Sequence, residues 1–414
     1  MLRLRRLNFY SIFFAFGVSV LIILAASRYI GNTNYHQSSE SRRNIIIRNY
    51  LKIEDGEKNS PQPLPTNPDD GSPNIEIILE KSRSKVKFDL TNYNFYTSGA
   101  QKLEDLLLES GGRPIRSLIV SAWRSGSTFL GEILNAMPGN FYHYEPLMHF
   151  DKVQIRAPPY SEKALSTIKS MFNCNFNDMD EYFEYGKVHA VQYSHNSRPW
   201  DHCKYKKELC LDPDFTSKYC KLFPFHSMKV VRFRLRLVQE LLDDKQLNLN
   251  VVLLIRDPRG VMQSRQHHDW CLRAPDCWRP ELVCADMISD YLTAGRLLKQ
   301  YPGRLMVLRY EDLALNPNNT AHRLLNFLKL SPTPSFEEFL HSHTTVEVGG
   351  AFSTFRVSRE VPFRWKNILN FSYVEEIQMV CKYAMNLWGY RMAHNASHLA
   401  SKEFNPLDQF KVPQ

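Results

Sequence analysis

The hydrophobic pattern divides the chain into an apolar N-terminal run, a polar stretch and a long alternating region. Phe9–Ala26 is uncharged and lies behind Arg3, Arg5 and Arg6. Residues 27–112 are mostly polar, and the run NSPQPLPTNPDDGSPN at 59–74 holds five prolines and one glycine. From Arg113 onward the texture changes. Ser117–Ala122, Met228–Phe233, Val251–Ile255 and Leu305–Leu308 are short apolar runs that predict buried strands. Phe129–Ala136, Glu281–Gln300, Thr320–Leu328 and Val374–Met385 carry helical periodicity. Strands alternating with helices predict an α/β domain whose parallel sheet is covered on both faces. That domain spans 113–398, with 399–414 as a C-terminal tail. In such sheets ligands bind beyond the carboxyl ends of the strands.

The N-terminal run reads as a membrane anchor. About 20 apolar residues cross a bilayer as a helix, and about 17 can suffice. Phe9–Ala26 fits that length, with residues 1–8 as the tail. A cleaved signal peptide has a shorter core, about 7–15 residues. Ala25, Ala26 and Ser27 resemble a cleavage site and keep that alternative open. The three arginines favour a cytoplasmic N-terminus, so the rest of the chain is expected in a lumen, as a type II membrane protein. Residues 27–112 then form a lumenal stem, because Pro-rich polar sequence buries too little apolar surface to fold. A helical patch around Gln101–Leu108 closes the stem against the domain.

Composition agrees with that placement. All eight cysteines lie beyond residue 170, and an even count in an oxidising compartment predicts disulfides. Cys271, Cys277 and Cys284 are close enough for one short-loop bridge, while the overall connectivity stays open. A structural zinc site would need paired spacings such as CxxC, which these cysteines lack. Asn318, Asn370 and Asn395 each begin an N-x-S/T sequon. The net charge of +9 suits nucleic acid, an acidic membrane surface or an anionic small substrate. No nucleic-acid-binding motif accompanies it, so no nucleic-acid partner is expected.

The chemistry concentrates after the predicted strands. SLIVSAWRSGSTFLGEIL at 117–134 reads strand, tight turn, helix, a layout that holds phosphates. Gly126 allows a close approach that a Cβ would hinder. Ser125, Ser127 and Thr128 supply hydroxyls, and Arg124 adds a cationic fork. An ordinary strand-to-helix turn with a serine cap is the bland alternative. The Walker A pattern GxxxxGK[ST] is missing, which disfavours an ATP-driven kinase. In VVLLIRDPRGVMQSR, the strand Val251–Ile255 ends in Arg256, which would project from the sheet edge. Arg256 suits a phosphate, or alternatively a structural pair with Asp257 or a nearby acid. Arg259 and Arg265 read as surface or helix-pairing residues. Glu145, in HYEPL, is the candidate general base. Pro146 keeps it out of helical geometry, and partial burial is expected to raise its pKa. His143 and His149 are rival bases, and His267 and His268 are acceptor-binding or surface candidates.

Together RSGSTFL, FYHYEPL at 141–147 and LLIRDPRGVMQSR at 253–265 resemble the Golgi carbohydrate sulfotransferases of the galactose/N-acetylglucosamine/N-acetylgalactosamine 6-O group. The resemblance covers residues 113 to about 395. RSGST, rather than PKxGC or KxGT, favours the 6-O group. It implies a P-loop-like sulfotransferase fold and PAPS (3'-phosphoadenosine 5'-phosphosulfate) as co-substrate, with no metal. Arg124, Ser125, Gly126, Ser127, Thr128 and Phe129 would form the 5'-phosphosulfate loop. Arg256 and Ser264 would bind the 3'-phosphate. FSTFRVSREVPFRWKNIL at 352–369 resembles the family segment that closes over the nucleotide, with Arg356, Ser358 and Trp365 in place, Trp365 being alternatively a core aromatic. Ser353 stands where that pattern has Gly, and Lys366 where it has Arg. Glu145 would be the base, and Arg124 would stabilise charge on the leaving oxygen. VLRYEDL at 307–313 reads as structural, with Glu311 and Asp312 capping or pairing. The implied partner is a glycan or glycosaminoglycan acceptor, reached in the Golgi. A lumenal transferase with a tyrosine acceptor, or a non-catalytic glycan-binding protein, remain alternatives. The acceptor sugar and the oligomeric state are not legible.

Overall fold

The computed structural model describes residues 74–203, 206–348 and 353–411. Among them no helix is long and apolar enough to cross a membrane. The expected anchor Phe9–Ala26 lies outside the described residues, as does most of the expected stem.

A five-stranded sheet organises the domain. Its strands are β1 (Ile115–Val120), β2 (Asn140–Tyr144), β3 (Phe225–Val230), β4 (Leu249–Ile255) and β5 (Leu305–Arg309). The spatial order is β2-β3-β1-β4-β5, and every neighbouring pair is parallel. β1, β3 and β4 are buried at every residue, which requires cover on both faces and explains their near-continuous apolar sequence. Four strands match predicted runs to within a few residues. β2 was not predicted as a strand.

The predicted helices are present as Ser127–Asn135, Pro280–Gln300, Pro317–Leu328 and Phe371–Leu387. Three begin at or just after proline or an N-capping asparagine: Pro280, Pro317 and Asn370. Helices Pro280–Gln300 and Phe371–Leu387 are joined by the Cys284–Cys381 disulfide. The other bridges are Cys174–Cys220, Cys203–Cys210 and Cys271–Cys277, so all eight cysteines are paired. The predicted short-loop bridge is Cys271–Cys277, and Cys284 goes elsewhere.

The packed fold extends before Arg113, into residues expected to belong to the stem. Helix Ile75–Asp89 is capped by the Asn74 side chain and buries Ile78, Leu79 and Val86 in the main core. Arg83 pairs with Glu109, pinning that helix to the turn Leu108–Ser110. Leu103, Leu106 and Leu107 also join the core.

Candidate active site at the carboxyl edge of the sheet

The chain runs from β1 to the edge strand β2, comes back to β3 between them, then places β4 on the other flank of β1. The crevice between the carboxyl ends of β1 and β4 is therefore a topological switch point, where ligands bind in open α/β sheets. Arg124 leaves β1 on one side of it and Arg256 leaves β4 on the other.

The loop after β1 has a geometry that can hold an anion. Arg124 and Gly126 both have left-handed backbone, with φ of 67° and 87°. A Cβ on Gly126 would lie 2.3 Å from Cδ2 of Tyr310, so glycine is required on two counts. The first intrahelical bond runs from the Leu130 N–H to the Gly126 carbonyl. The N–H groups of Ser127, Thr128 and Phe129 precede it and face the loop. Ser125 and Ser127 are buried. The Phe129 ring instead stacks on Phe339 at 6.3 Å, so this residue offers its backbone to the loop and its ring to packing.

Arg256 meets this loop directly. Its Nη1 donates to the Arg124 carbonyl at 2.9 Å, and its guanidinium lies 4.6 Å from the Tyr310 ring. Arg124 Nε donates to Ser264 Oγ at 3.0 Å. Burial first, and then the charges of Arg256 and Arg356, push the Arg124 pKa down. The three arginines thus share one field. The expected alternative, an Arg256–Asp257 pair, does not form. Asp257 is held by Arg259 at 2.7 Å, and among the described residues Arg256 has no ion pair. Arg256 Nε is buried and has no hydrogen-bond partner there. A buried cation with an unused donor beside another cation fits a phosphate.

Two expectations change here. Arg259 and Arg265 are not surface residues, being 0% and 1% exposed. Arg259 also donates to Gln378 and to the Arg391 carbonyl. Arg265 holds the Trp123 carbonyl at 3.1 and 2.9 Å and the Cys277 carbonyl at 2.5 Å, locking the phosphate loop to the disulfide loop. Trp365, a candidate nucleotide contact, is buried beneath Arg259, whose guanidinium is 4.2 Å from its ring. Gly260 makes room for it beside Arg256. The Trp365 indole is thus packed in the core under Arg259 rather than open at the surface. Arg356 is half-buried and donates to the Phe355 and Val348 carbonyls, with Glu347 at 3.9 Å. Glu311 and Asp312 cap and pair as expected: Glu311 accepts from the Asp257 N–H and the Tyr390 hydroxyl, and Asp312 pairs with Arg309.

Glu145 follows β2, at the same edge of the sheet. Its φ of 43° is a strained conformation for a non-glycine residue. Lys229 Nζ donates to its Oε1 at 2.7 Å, and Arg232 Nη1 to its Oε2 at 2.5 Å. Burial alone would push this carboxyl up, but the Lys229 and Arg232 charges outweigh it and hold the pKa below its ordinary value. The expected upward shift is therefore corrected. The two cations sit 84 and 87 residues away in sequence. The Arg232 guanidinium also lies 5.4 Å from the Trp123 ring, so it links Glu145 to the phosphate loop. Lys229 and Arg232 were not predicted as site residues. The available signal was a lysine and two arginines inside KVVRFR, an otherwise buried apolar run.

The rival bases fare worse. His143 is caged by Phe141, Phe172 and Phe176, and burial lowers its pKa to about 3. Burial lowers that of His149 to about 4. His268 is buried and stacked on Trp270, while His267 is exposed. His143, Cys220 and His226 bring ligand atoms within 4.8 Å of one another, but Cys220 is bonded to Cys174 and presents no thiolate. Asn318, Asn370 and Asn395 are all exposed; Asn370 and Asn395 cap helices through their side-chain oxygens.

Residues 114–389 match the family described as Sulfotransferase domain. The chain belongs to that sulfotransferase family. Relatives of this sulfotransferase include human carbohydrate sulfotransferase 6, 29% identical over 69% of this chain and 83% of that one. Mouse carbohydrate sulfotransferase 5 is 28% identical over 69% and 82%, and human carbohydrate sulfotransferase 3 is 26% identical over 70% of each. Among solved structures, retinol dehydratase in complex with retinol and PAP overlaps with a TM-score of 0.36 at 14% identity, covering 66% of this chain and 81% of that one.

Proposed function

We propose that this sulfotransferase moves a sulfonate from PAPS to the 6-hydroxyl of galactose or an N-acetylhexosamine in a glycan or glycosaminoglycan. The observation that carries this reading is the pairing of Arg124 and Arg256 across the switch point, with Arg256 buried and in no ion pair among the described residues. Like charges brought together under cover are costly until an anion joins them.

The residues fit PAPS at both ends. The loop 124–129 would hold the 5' side and Arg256 with Ser264 the 3'-phosphate. PAPS, when bound, supplies the sulfonate group. Arg124 and the N–H groups of Ser127, Thr128 and Phe129 stabilise negative charge at the leaving oxygen. Glu145 receives the acceptor hydroxyl proton. Lys229 and Arg232 keep its carboxylate ionised and fixed, which weakens it as a base. That weakness is tolerable because a hydroxyl becomes far more acidic once its oxygen begins to bond to sulfur. The step is then chiefly positioning and charge stabilisation, and no metal is invoked.

The sugar acceptor is supported by the relatives named carbohydrate sulfotransferases. The 6-position rests on the motif resemblance. Placement as a Golgi type II membrane protein rests on Phe9–Ala26 behind its arginines. Four disulfides and exposed sequons at Asn318, Asn370 and Asn395 suit an oxidising lumen.

The test is transfer from radiolabelled PAPS to a panel of keratan, chondroitin, N-acetylglucosamine-ended glycans and a tyrosine peptide. Labelling of at least one glycan and not the peptide is expected. Labelling of the peptide alone would reassign the acceptor, and labelling of nothing would overturn the proposal.

A further inference from the structure

The apolar rim beside Glu145 has no part in the chemistry so far. Helix Asp180–Val188 packs against the turn Met148–Phe150, which begins three residues after Glu145. The His149 and Tyr182 rings meet edge-on there, 6.3 Å apart. One turn further along the same face comes Tyr185. Its ring is half-buried and stacked on His189 at 4.1 Å and 28°. The Tyr185 phenol feels the charges of Arg232, Asp151 and Glu145, and Arg232 itself bridges the Glu145 carboxylate and the Asp151 carbonyl at the end of that turn. Just beyond it, Val188 and Val191 are 79% and 78% exposed. Apolar side chains left open next to a stacked aromatic pair can form part of a binding surface.

We infer that Tyr185, buttressed by His189 and flanked by Val188 and Val191, is the acceptor platform, receiving a pyranose ring of the glycan and presenting its hydroxyl to Glu145. The inference rests on the proposed function and adds the acceptor subsite to it. The occupant follows from the chemistry of the wall. A pyranose has an apolar C–H face that suits an aromatic ring or a valine, and a hydroxyl edge that suits a phenol and a carboxylate. A wholly apolar ligand would leave the polar groups at its foot unmatched. An anionic peptide would gain nothing from two exposed valines.

His189 holds the Tyr185 ring by its other side, so the platform is preset and costs little ordering entropy on binding. Tyr185 is a binding residue, distinct from the nucleotide-binding group. Its loss should therefore change the acceptor constant and leave the nucleotide constant alone.

The experiment measures transfer from PAPS to the best glycan of the panel, for wild type, Tyr185→Ala, Tyr185→Phe and Val191→Ser. Tyr185→Ala should raise the acceptor KM about tenfold with the KM for PAPS unchanged. Tyr185→Phe should keep most of the stacking and lose less. Val191→Ser, on the surface, should raise the acceptor KM about twofold without touching the fold. The PAP-induced rise in Tm reports folding in every variant. If wild type transfers but Tyr185→Ala and Val191→Ser keep wild-type acceptor constants, the platform is refuted while the proposed function stands. If folded wild type transfers to no glycan and binds none in the presence of PAP, the proposed function and the platform fail together.

Discussion

Arg256 and Arg259 lie three residues apart, both buried, yet their replacement should have opposite consequences. Arg256→Gln removes one hydrogen bond to the Arg124 carbonyl and one ring contact with Tyr310. It also relieves repulsion with Arg124. These effects offset, so stability should change by less than about 1 kcal/mol. Nucleotide affinity should suffer instead. A charge-assisted contact to phosphate contributes about 1.5–3 kcal/mol, or roughly 10- to 150-fold in Kd. Arg259→Gln leaves Asp257 buried without its cation and removes the bonds to Gln378 and the Arg391 carbonyl. Breaking a buried pair from one side costs about 3–5 kcal/mol, a fall in Tm on the order of 3–6 °C for a chain this long. Thermal melts without ligand, and calorimetric titration with PAP at fixed salt, read both quantities. The reasoning is refuted if Arg256→Gln melts as early as Arg259→Gln while binding PAP like wild type.

Three further outcomes follow from the same geometry. Gly126→Ala places a Cβ 2.3 Å from Tyr310 on a left-handed backbone; PAP affinity should fall more than about tenfold, with about 1–2 kcal/mol lost in a melt, and an unchanged titration would contradict the close approach. Arg232→Gln removes one of the two cations holding the Glu145 pKa down, so the acid limb of kcat/KM should move to higher pH with PAP affinity retained; an unmoved limb would remove Glu145 from the role of base. His143 titrates near 3 when folded against about 6.5 when unfolded, so its contribution to stability is complete above about 6.5 and lost as pH falls toward 3. His143→Phe should therefore flatten the pH dependence of stability by about 1.4 kcal/mol per unit below that point, and a parallel profile in denaturant titrations would rule the reading out.

Local chemistry was well marked in the sequence. The RSGST turn, the arginine after LLI and the four apolar strands all lie where pattern and turn residues put them, because each depends on neighbours within a few positions. What the sequence concealed is what depends on distance along the chain. Strand β2 is only Asn140–Tyr144, with adjacent aromatics and no strict alternation, too short and irregular to stand out beside a motif. Helix Ile75–Asp89 follows a Pro-rich run that dominates the local composition, yet its Ile78, Leu79 and Val86 reach the core. Arg259 and Arg265 looked like surface charges because their partners, Asp257 aside, lie at Gln378, Arg391, Trp123 and Cys277. The sign of the Glu145 shift needed β3 laid beside β2, which brings in Lys229 and Arg232.

The measurement that tests the central claim most directly is the position of the sulfonate in the product of the purified enzyme with PAPS and a neutral glycan acceptor, located by tandem mass spectrometry. The account predicts one sulfonate on a C6 oxygen of galactose or an N-acetylhexosamine, and none with Arg124→Ala. A sulfonate on a ring hydroxyl other than C6, or full product from Arg124→Ala, would contradict it.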